Sequence, residues 1–156
     1  RSALSAAAKR RERLGLVVLD VDGLKSINDR YGHLVGAGVI ADVGAIVGDR
    51  VGERGPSCRL GGDEFGVALP GRDRRDAVAV AEAVRTEVAA TRFEREGEPL
   101  RVRVSAGVAE YPSDAATPLE LLRRADEALY RAKRAGGDRV VEARPRGPDA
   151  PGGRAK

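Results

Sequence analysis

The sequence is poor in cysteine and aromatic residues, and it contains no long apolar run. Its single cysteine, Cys58, cannot form an internal disulfide, which is typical of a reducing compartment. Aromatic residues make up only 3% of the chain, so few rings are available to stack on nucleic-acid bases. The apolar runs are too short to cross a bilayer, and no signal peptide opens the chain. We therefore expect a cytoplasmic protein, or the cytoplasmic part of a larger membrane-anchored one. We expect it to contact neither a membrane nor a nucleic-acid polymer.

The remaining composition is that of one globular domain. The 156 residues suffice for a single core, with 42% hydrophobic and 33% charged residues. The formal net charge of +4 does not favour nucleic acid, because the arginines are scattered among acids. Residues 144–156 are rich in proline, glycine and arginine, which predicts a disordered tail after a domain over residues 1–143.

Apolar residues at helical spacing predict three helices. The first covers about residues 35–51, although glycines weaken it. The second begins after Asp73, whose side chain can cap it. The third begins with a capping box over residues 117–120 and ends at Gly136. The residues expected to be buried are Val39, Ile40, Val43, Ile46 and Val47; then Ala77, Val80, Ala81, Val84 and Val88; and finally Leu119, Leu122, Ala125, Leu129 and Ala132.

The strands alternate with these helices. The β-rich run over residues 16–21 is typical of a buried central strand. Residues 100–108 alternate between apolar and polar, which predicts a strand with one buried face, and Val140 and Val141 predict a last short strand. The order indicates an α/β sandwich with a mixed central sheet flanked by helices.

The segment over residues 59–65 is the most informative part of the chain. Gly61 and Gly62 precede Asp63 and Glu64 between two short apolar runs, which predicts a β-hairpin with carboxylates at its tip. Glycine lets a ligand approach the main chain closely, and carboxylates at a turn can hold a hard cation such as Mg²⁺. The alternative is an ordinary solvated hairpin turn.

A second pair of acids, Asp20 and Asp22, lies at the end of the first predicted strand. If this strand neighbours the hairpin, three or four carboxylates converge, and a divalent metal is the natural counterion. Such sites drive in-line attack on phosphates, and Lys25 and Lys133 could neutralise a triphosphate. The alternative is that the two aspartates only cap the following turn.

Three motifs resemble the GGDEF family of diguanylate cyclases. They cover residues 20–33, 59–65 and 124–133, in the order typical of the family, and the resemblance extends over about residues 14–143. It implies the nucleotidyl-cyclase palm, a ferredoxin-like mixed sheet with flanking helices. The turn that usually opens such domains is not found, so we expect the N-terminal part of the domain to be truncated and an upstream sensory domain to precede it.

The resemblance also implies a metal centre. Asp20 and Asp63 would bind Mg²⁺ or Mn²⁺, with help from the backbone carbonyl of Val21. Glu64 would be a candidate base, or a supporting acid, for the attacking 3′-hydroxyl.

The nucleotide contacts follow from the same resemblance. Gly61 and Gly62 would let the nucleotide pass close to the hairpin, and Lys25 and Lys133 would bind phosphates. Asn28 matches the asparagine that hydrogen-bonds guanine. Each subunit of a homodimer would hold one GTP, and the two would be condensed into cyclic di-GMP and pyrophosphate.

Four departures from the family pattern bear on this expectation. Ala37 replaces an aspartate that makes a second guanine contact, so ATP is an open alternative to GTP. Gly137 replaces a phosphate-binding arginine, and Gly23 and Leu24 replace a bulkier pocket wall. The inhibitory Arg-x-x-Asp motif is also missing. The alternative reading is a degenerate, non-catalytic module that binds a nucleotide or a protein and regulates an attached domain.

Three other polar residues receive structural interpretations. His33 belongs to a Tyr-Gly-His turn, and Asp126 is expected to be a packing or capping partner in the last helix. Arg59 is expected to neutralise the acidic hairpin.

Overall fold

A computed structural model describes residues 5–6, 9–10 and 12–147 of the chain. The elements are, in chain order, β1 (Leu14–Val21), α1 (Leu24–Tyr31), α2 (His33–Val51), β2 (Ser57–Arg59), β3 (Glu64–Pro70), α3 (Arg74–Ala90), β4 (Phe93–Arg95), β5 (Glu98–Leu100), β6 (Val104–Tyr111), α4 (Pro118–Arg134) and β7 (Val140–Glu142). A short 3₁₀ turn over residues 52–54 follows α2. No helix in this described part is long and apolar enough to span a membrane.

β1 lies at the centre of a five-stranded sheet with the order β2-β3-β1-β6-β7. It pairs antiparallel with both β3 and β6, while β6 and β7 run parallel. The mixed α/β sheet predicted from the sequence is therefore confirmed. The register places Asp20 of β1 opposite Glu64 on one side and Ser105 on the other.

Both faces of β1 are buried because helices cover the sheet on both sides. Val17, Leu19 and Val21 pack with residues of α2 and α3 in one apolar cluster. Leu16 and Val18 pack with residues of α4 in the other. The alternation follows from the two-residue period of a strand, and burying each such side chain stabilises the fold by about 1.5–3 kcal/mol.

Close contact between α4 and β6 depends on Gly107. A Cβ atom at this position would lie 2.0 Å from the Ala125 carbonyl oxygen and 2.4 Å from the Leu129 nitrogen. Any side chain here would push the helix backbone away from the sheet. The distance between the backbones of α4 and β6 therefore depends on the absence of a Cβ atom at Gly107.

The predicted apolar stripes agree with the structure in α3 and differ in α4. All five residues predicted for α3 are buried. In α4, Leu119 is 77% exposed, so its predicted burial is wrong, and Leu121 and Ala128 are buried instead. The reason is geometric: Leu119 lies six residues before Ala125, about 120° round the helix from it.

The predicted strand over residues 100–108 is wrong in its bounds and in its burial. Leu100 ends β5, which pairs with β4 in a separate hairpin, and β6 begins at Val104. All eight residues of β6 are buried, because it lies inside the sheet with helices on both faces. The sequence analysis also missed α1, whose only buried residues are Leu24 and Ile27.

The predicted tail falls mostly beyond the structure. Residues 144–147 have no regular secondary structure, and residues 148–156 lie outside the described residues. The domain boundary at residue 143 therefore stays a prediction.

Candidate active site

The hairpin formed by β2 and β3 presents an open tip, as predicted. Arg59 pairs with Phe65, and the amides of Leu60 and Gly61 both donate to the Glu64 carbonyl oxygen, at 2.8 Å and 3.4 Å. A Cβ atom at Gly61 or Gly62 would meet nothing within 4 Å. The backbone of the tip is therefore accessible to a ligand.

Arg59 does not neutralise the acids of the hairpin, contrary to the expectation. Its Nε donates to the carbonyl oxygens of Gly61 and Gly62, at 3.0 Å each, and one Nη also donates to Gly62. Among the described residues, no carboxylate oxygen lies within 4.0 Å of its guanidinium nitrogens. The guanidinium binds the backbone of the tip instead.

Asp20 is a partly buried acid at this end of the sheet. Its side chain is 17% exposed, and Lys133 Nζ lies 3.6 Å from its Oδ2. Burial is the largest cause that raises the pKa of Asp20 to about 7. The positive charge of Lys133 opposes this rise, whereas a hydrogen bond with Asp63 and the like charge of Asp63 reinforce it. Its Oδ1 is buried without a hydrogen-bond partner. One carboxylate oxygen of Asp20 is therefore buried and unsatisfied.

Glu64 lies opposite Asp20 and meets a fourth acid. Burial is the largest cause that raises the pKa of Glu64 to about 7. A hydrogen bond with Asp126 and the like charges of Asp126, Asp20 and Asp63 raise it further. The convergence of carboxylates predicted from the sequence is thus present, and Asp126 of α4 joins it.

This position of Asp126 was not predicted from the sequence. The available signal was its spacing, because Asp126 and Lys133 lie seven residues apart and so share one face of α4. Because Lys133 was predicted to lie in the site, the shared face would have predicted that Asp126 lies there too.

Lys133 contacts the oxygens that were predicted to bind metal. Its ammonium nitrogen lies 3.4 Å from the Val21 carbonyl oxygen, 3.4 Å from Asp22 Oδ1 and 3.6 Å from Asp20 Oδ2. These three oxygens form a surface that attracts a cation. Lys25, the other predicted phosphate ligand, lies exposed in the first turn of α1.

Asp22 is used differently from Asp20. It accepts hydrogen bonds from Ser105 Oγ at 2.7 Å and from the Asp138 amide at 2.8 Å. Gly137 has a φ of +73°, and a Cβ atom there would lie 2.9 Å from Asp22 Oδ2. Glycine at position 137 therefore makes room for a carboxylate that fastens the turn after α4 to the end of β1. The sequence analysis offered two alternatives for Asp22, a metal ligand or a cap of the following turn. The contact with Ser105 and the Asp138 amide is neither of these.

A cleft of about 320 Å³ adjoins the hairpin and contains the predicted base contacts. Asn28, Ala37, Gly62 and Asp63 all line it. Asn28 Oδ1 is buried without a hydrogen-bond partner, and a Cβ atom at Gly36 would lie 1.7 Å from this oxygen. The cleft thus offers one unsatisfied amide oxygen and, at Ala37, no polar group.

The residues present fit a magnesium ion. The described residues contain no group of three or more acidic, histidine or cysteine side chains arranged as a ready ligand set. Mg²⁺ does not need one, because proteins usually hold it through one or two carboxylates together with substrate phosphates and water. The unpartnered Asp20 Oδ1, the adjacent Asp63 and the Val21 carbonyl are hard oxygen ligands of this kind.

Comparison with known proteins gives consistent similarities. Residues 1–139 match the family described as "Diguanylate cyclase, GGDEF domain". Diguanylate cyclase A of Treponema denticola is 33% identical over 138 residues, which are 88% of this chain and 37% of that protein. Diguanylate cyclase DgcP of Pseudomonas aeruginosa is 39% identical over 141 residues, which are 88% of this chain and 21% of that protein. The chain therefore spans well under half of these relatives.

Solved structures agree with the sequence comparison. The GGDEF domain of DgcB from Caulobacter crescentus, in complex with c-di-GMP, matches with a TM-score of 0.83 and 31% identity. The match covers 90% of this chain and 84% of that chain.

Proposed function

Because the chain belongs to the GGDEF family of diguanylate cyclases, we propose that it condenses two GTP molecules into cyclic di-GMP and two pyrophosphates. The observation that carries the proposal is the convergence of Asp20, Asp63 and Glu64 at the sheet end that adjoins the cleft. The acids would bind the metal and the reacting groups, and the cleft would bind the nucleotide base. We place this activity in the cytoplasm, as part of a longer protein with an upstream sensory domain.

The nucleotide would lie across the hairpin tip with its base in the cleft. The unpartnered Oδ1 of Asn28 can accept a hydrogen bond from the amino group of a purine. Gly61 and Gly62 leave room for the ribose beside the main chain. The triphosphate would extend towards Lys133, with Lys25 as a second cation from α1.

Asp20, Asp63 and the Val21 carbonyl would hold Mg²⁺ or Mn²⁺. When bound, the metal supplies positive charge that favours ionisation of the 3′-hydroxyl and neutralises the phosphates. Lys133 would be free to follow the phosphates, because its contacts with Asp20 and Asp22 are no shorter than 3.4 Å.

Glu64 would receive the proton of the attacking hydroxyl. Its carboxylate lies on β3 directly opposite Asp20, so it faces the same reacting group. As the 3′-oxygen bonds to the α-phosphorus of the other nucleotide, the bond to the bridging oxygen breaks and pyrophosphate leaves. Asp126 lies beside Glu64 and holds its carboxyl group in place.

Two copies of the chain are needed for this reaction. One cleft holds one base, so each 3′-hydroxyl must attack a nucleotide bound by another copy. A homodimer with the two hairpins facing each other satisfies this requirement.

Ala37 favours a broader choice of base. It lies exposed in the cleft and offers no acceptor for the N1–H and amino groups of guanine. Losing one such hydrogen bond changes binding by about 1–3 kcal/mol, so ATP competes better than it would against an aspartate. The same observation supports the second candidate, a nucleotide-binding module that does not catalyse the reaction.

The test is incubation of concentrated protein with Mg²⁺ and GTP, ATP or both, with products resolved by mass. Cyclic di-GMP from GTP alone supports the proposal, and an adenine-containing product supports the broader choice of base. Nucleotide binding without any product, from protein shown to be dimeric by sedimentation, would replace it with the non-catalytic module.

A further inference from the structure

The two glycines at the tip of the β2–β3 hairpin are not held by packing. Neither Gly61 nor Gly62 has a neighbour that would contact an added Cβ atom within 4 Å. Two backbone amides, of Leu60 and Gly61, share a single acceptor, the Glu64 carbonyl oxygen. Glycine has more backbone freedom than any other residue, so a tip with two glycines needs another restraint to keep one conformation.

In the described part of the chain, Arg59 is the only side chain that donates hydrogen bonds to the carbonyl oxygens of Gly61 and Gly62. Its guanidinium donates three hydrogen bonds, one to Gly61 and two to Gly62. A planar guanidinium with several N–H donors can hold two carbonyl oxygens at once, which a lysine ammonium on a flexible stem does poorly. The residue type therefore matches the task.

The contact with Gly62 bears directly on Asp63. The carbonyl of Gly62 and the nitrogen of Asp63 belong to one planar peptide unit. When the oxygen of this unit is held, the Asp63 nitrogen and Cα are held in the same plane, which leaves rotation about the N–Cα bond to set the direction of the Asp63 side chain. Arg59 also lines the cleft beside Asn28, so it connects the base site to the acidic end of the hairpin.

We propose that Arg59 is a positioning residue that sets the conformation of the Gly61-Gly62 tip and thereby places Asp63 for metal and nucleotide. The inference rests on the proposed function. It assigns Arg59 a task that depends on the shape of its guanidinium, because its donors are directed at carbonyl oxygens and no carboxylate lies within 4.0 Å among the described residues.

The kinetic test compares Arg59→Ala and Arg59→Lys with wild type in the full chain. We expect both variants to lower kcat by about 10²-fold, the effect of misplacing a reacting group by about 1 Å, with little change in KM for GTP. Arg54→Ala is the matched control, since Arg54 is an exposed arginine in the preceding turn. Wild-type activity in Arg59→Lys would mean that only charge matters, and a raised KM with unchanged kcat would mean a nucleotide contact; either overturns the proposal.

Hydrogen exchange tests the same contact without activity. In Arg59→Ala, the amides of Leu60 and Gly61 should exchange at least tenfold faster. The amide of Ala68, which bonds to the Pro56 carbonyl at the other end of the hairpin, should not change. Unchanged exchange at the tip would overturn the inference. If wild type forms no product, the proposed function fails, and this measurement still decides whether Arg59 restrains the tip.

Discussion

The two ends of the central strand β1 both meet buried acids, and they compensate these acids differently. Near Gly15, Glu110 and Asp114 are 9% and 1% exposed. Asp114 accepts from the Glu110 amide and the Arg74 guanidinium, and Glu110 accepts from the Arg74 amide and pairs with Arg13 at 3.1 Å. All four carboxylate oxygens at this end have a donor.

The acids at the end near Asp20 are compensated only in part. Asp20 Oδ1 has no partner, and Lys133 is shared between Asp20 and Asp22. Asp63 and Glu64 bring further negative charge to the same place. Paired buried acids help to define one fold, whereas an unpaired acidic cluster is a candidate site for a ligand that neutralises it. The difference distinguishes the structural end of the sheet from the functional one.

The largest effect is expected from Asp63→Ala at the functional end. The variant should form no detectable product and should lose the Mg²⁺-dependent rise in melting temperature, because one of two metal carboxylates is gone. Product analysis by mass and thermal melts with and without Mg²⁺ measure both. The control is Asp49→Ala, which removes an exposed aspartate of α2. Retained turnover in Asp63→Ala would contradict the metal assignment.

At the structural end, Asp114→Ala should unfold the protein more readily without a specific effect on chemistry. Removing one partner of a buried ion pair destabilises by about 3–5 kcal/mol, and the lower value applies because the Arg74 side chain is 25% exposed. Denaturant unfolding measures this change. At temperatures where the variant is folded, kcat should match wild type; a selective loss of kcat would break the distinction between the two ends.

Ala37→Asp would add an acid to the functional end and should sharpen base choice. The new carboxylate can accept from both the N1–H and the amino group of guanine, whereas adenine presents an acceptor at N1, so the GTP preference over ATP should rise by about 1–3 kcal/mol in free energy. Competition between the two nucleotides measures the ratio, with Ala41→Asp on the exposed face of α2 as control. An unchanged ratio would mean that position 37 does not face the base.

The smallest effect is a gain in stability. Asp20→Asn removes a charge from the crowded functional end, so the metal-free protein should become more stable near neutral pH, because burial and Asp63 disfavour the ionised carboxylate in the folded state. Melting in EDTA measures it, and product formation should be lost in the same variant. Destabilisation of the size expected for Asp114→Ala would show that Asp20 is also a structural acid.

The sequence determined the site where local rules decide structure. Asp20 lies at the end of a β-rich run and Asp63 follows two glycines, so local patterns placed each acid at the end of its element. Their convergence depended on the pairing of β1 with β3, which the sequence analysis took only as a condition. The α/β order was likewise predictable from hydrophobic periods, since helices and strands differ in period.

What was missed depends on tertiary contacts. Leu119 could be told from Leu121 only once the face of α4 that meets the sheet was known. The pairing of Asp126 with Glu64 joins two elements far apart in sequence, and the bonds of Arg59 to glycine carbonyls depend on the conformation of the tip. Composition does not contain this information, and periodicity gives only the face of α4 that Asp126 shares with Lys133.

The contact of α4 with β6 at Gly107 has a consequence for how the protein can change over evolution. Lys133 and Asp126 both lie on α4, and the contact of this helix with β6 at Gly107 leaves no room for an extra carbon atom. A change in that contact would shift both side chains together and disable the whole centre in one step. Ala37, by contrast, lies at an exposed position where new side chains have room. Selection can therefore change the side chain at position 37 while the helix that carries Lys133 and Asp126 is inherited as a fixed unit.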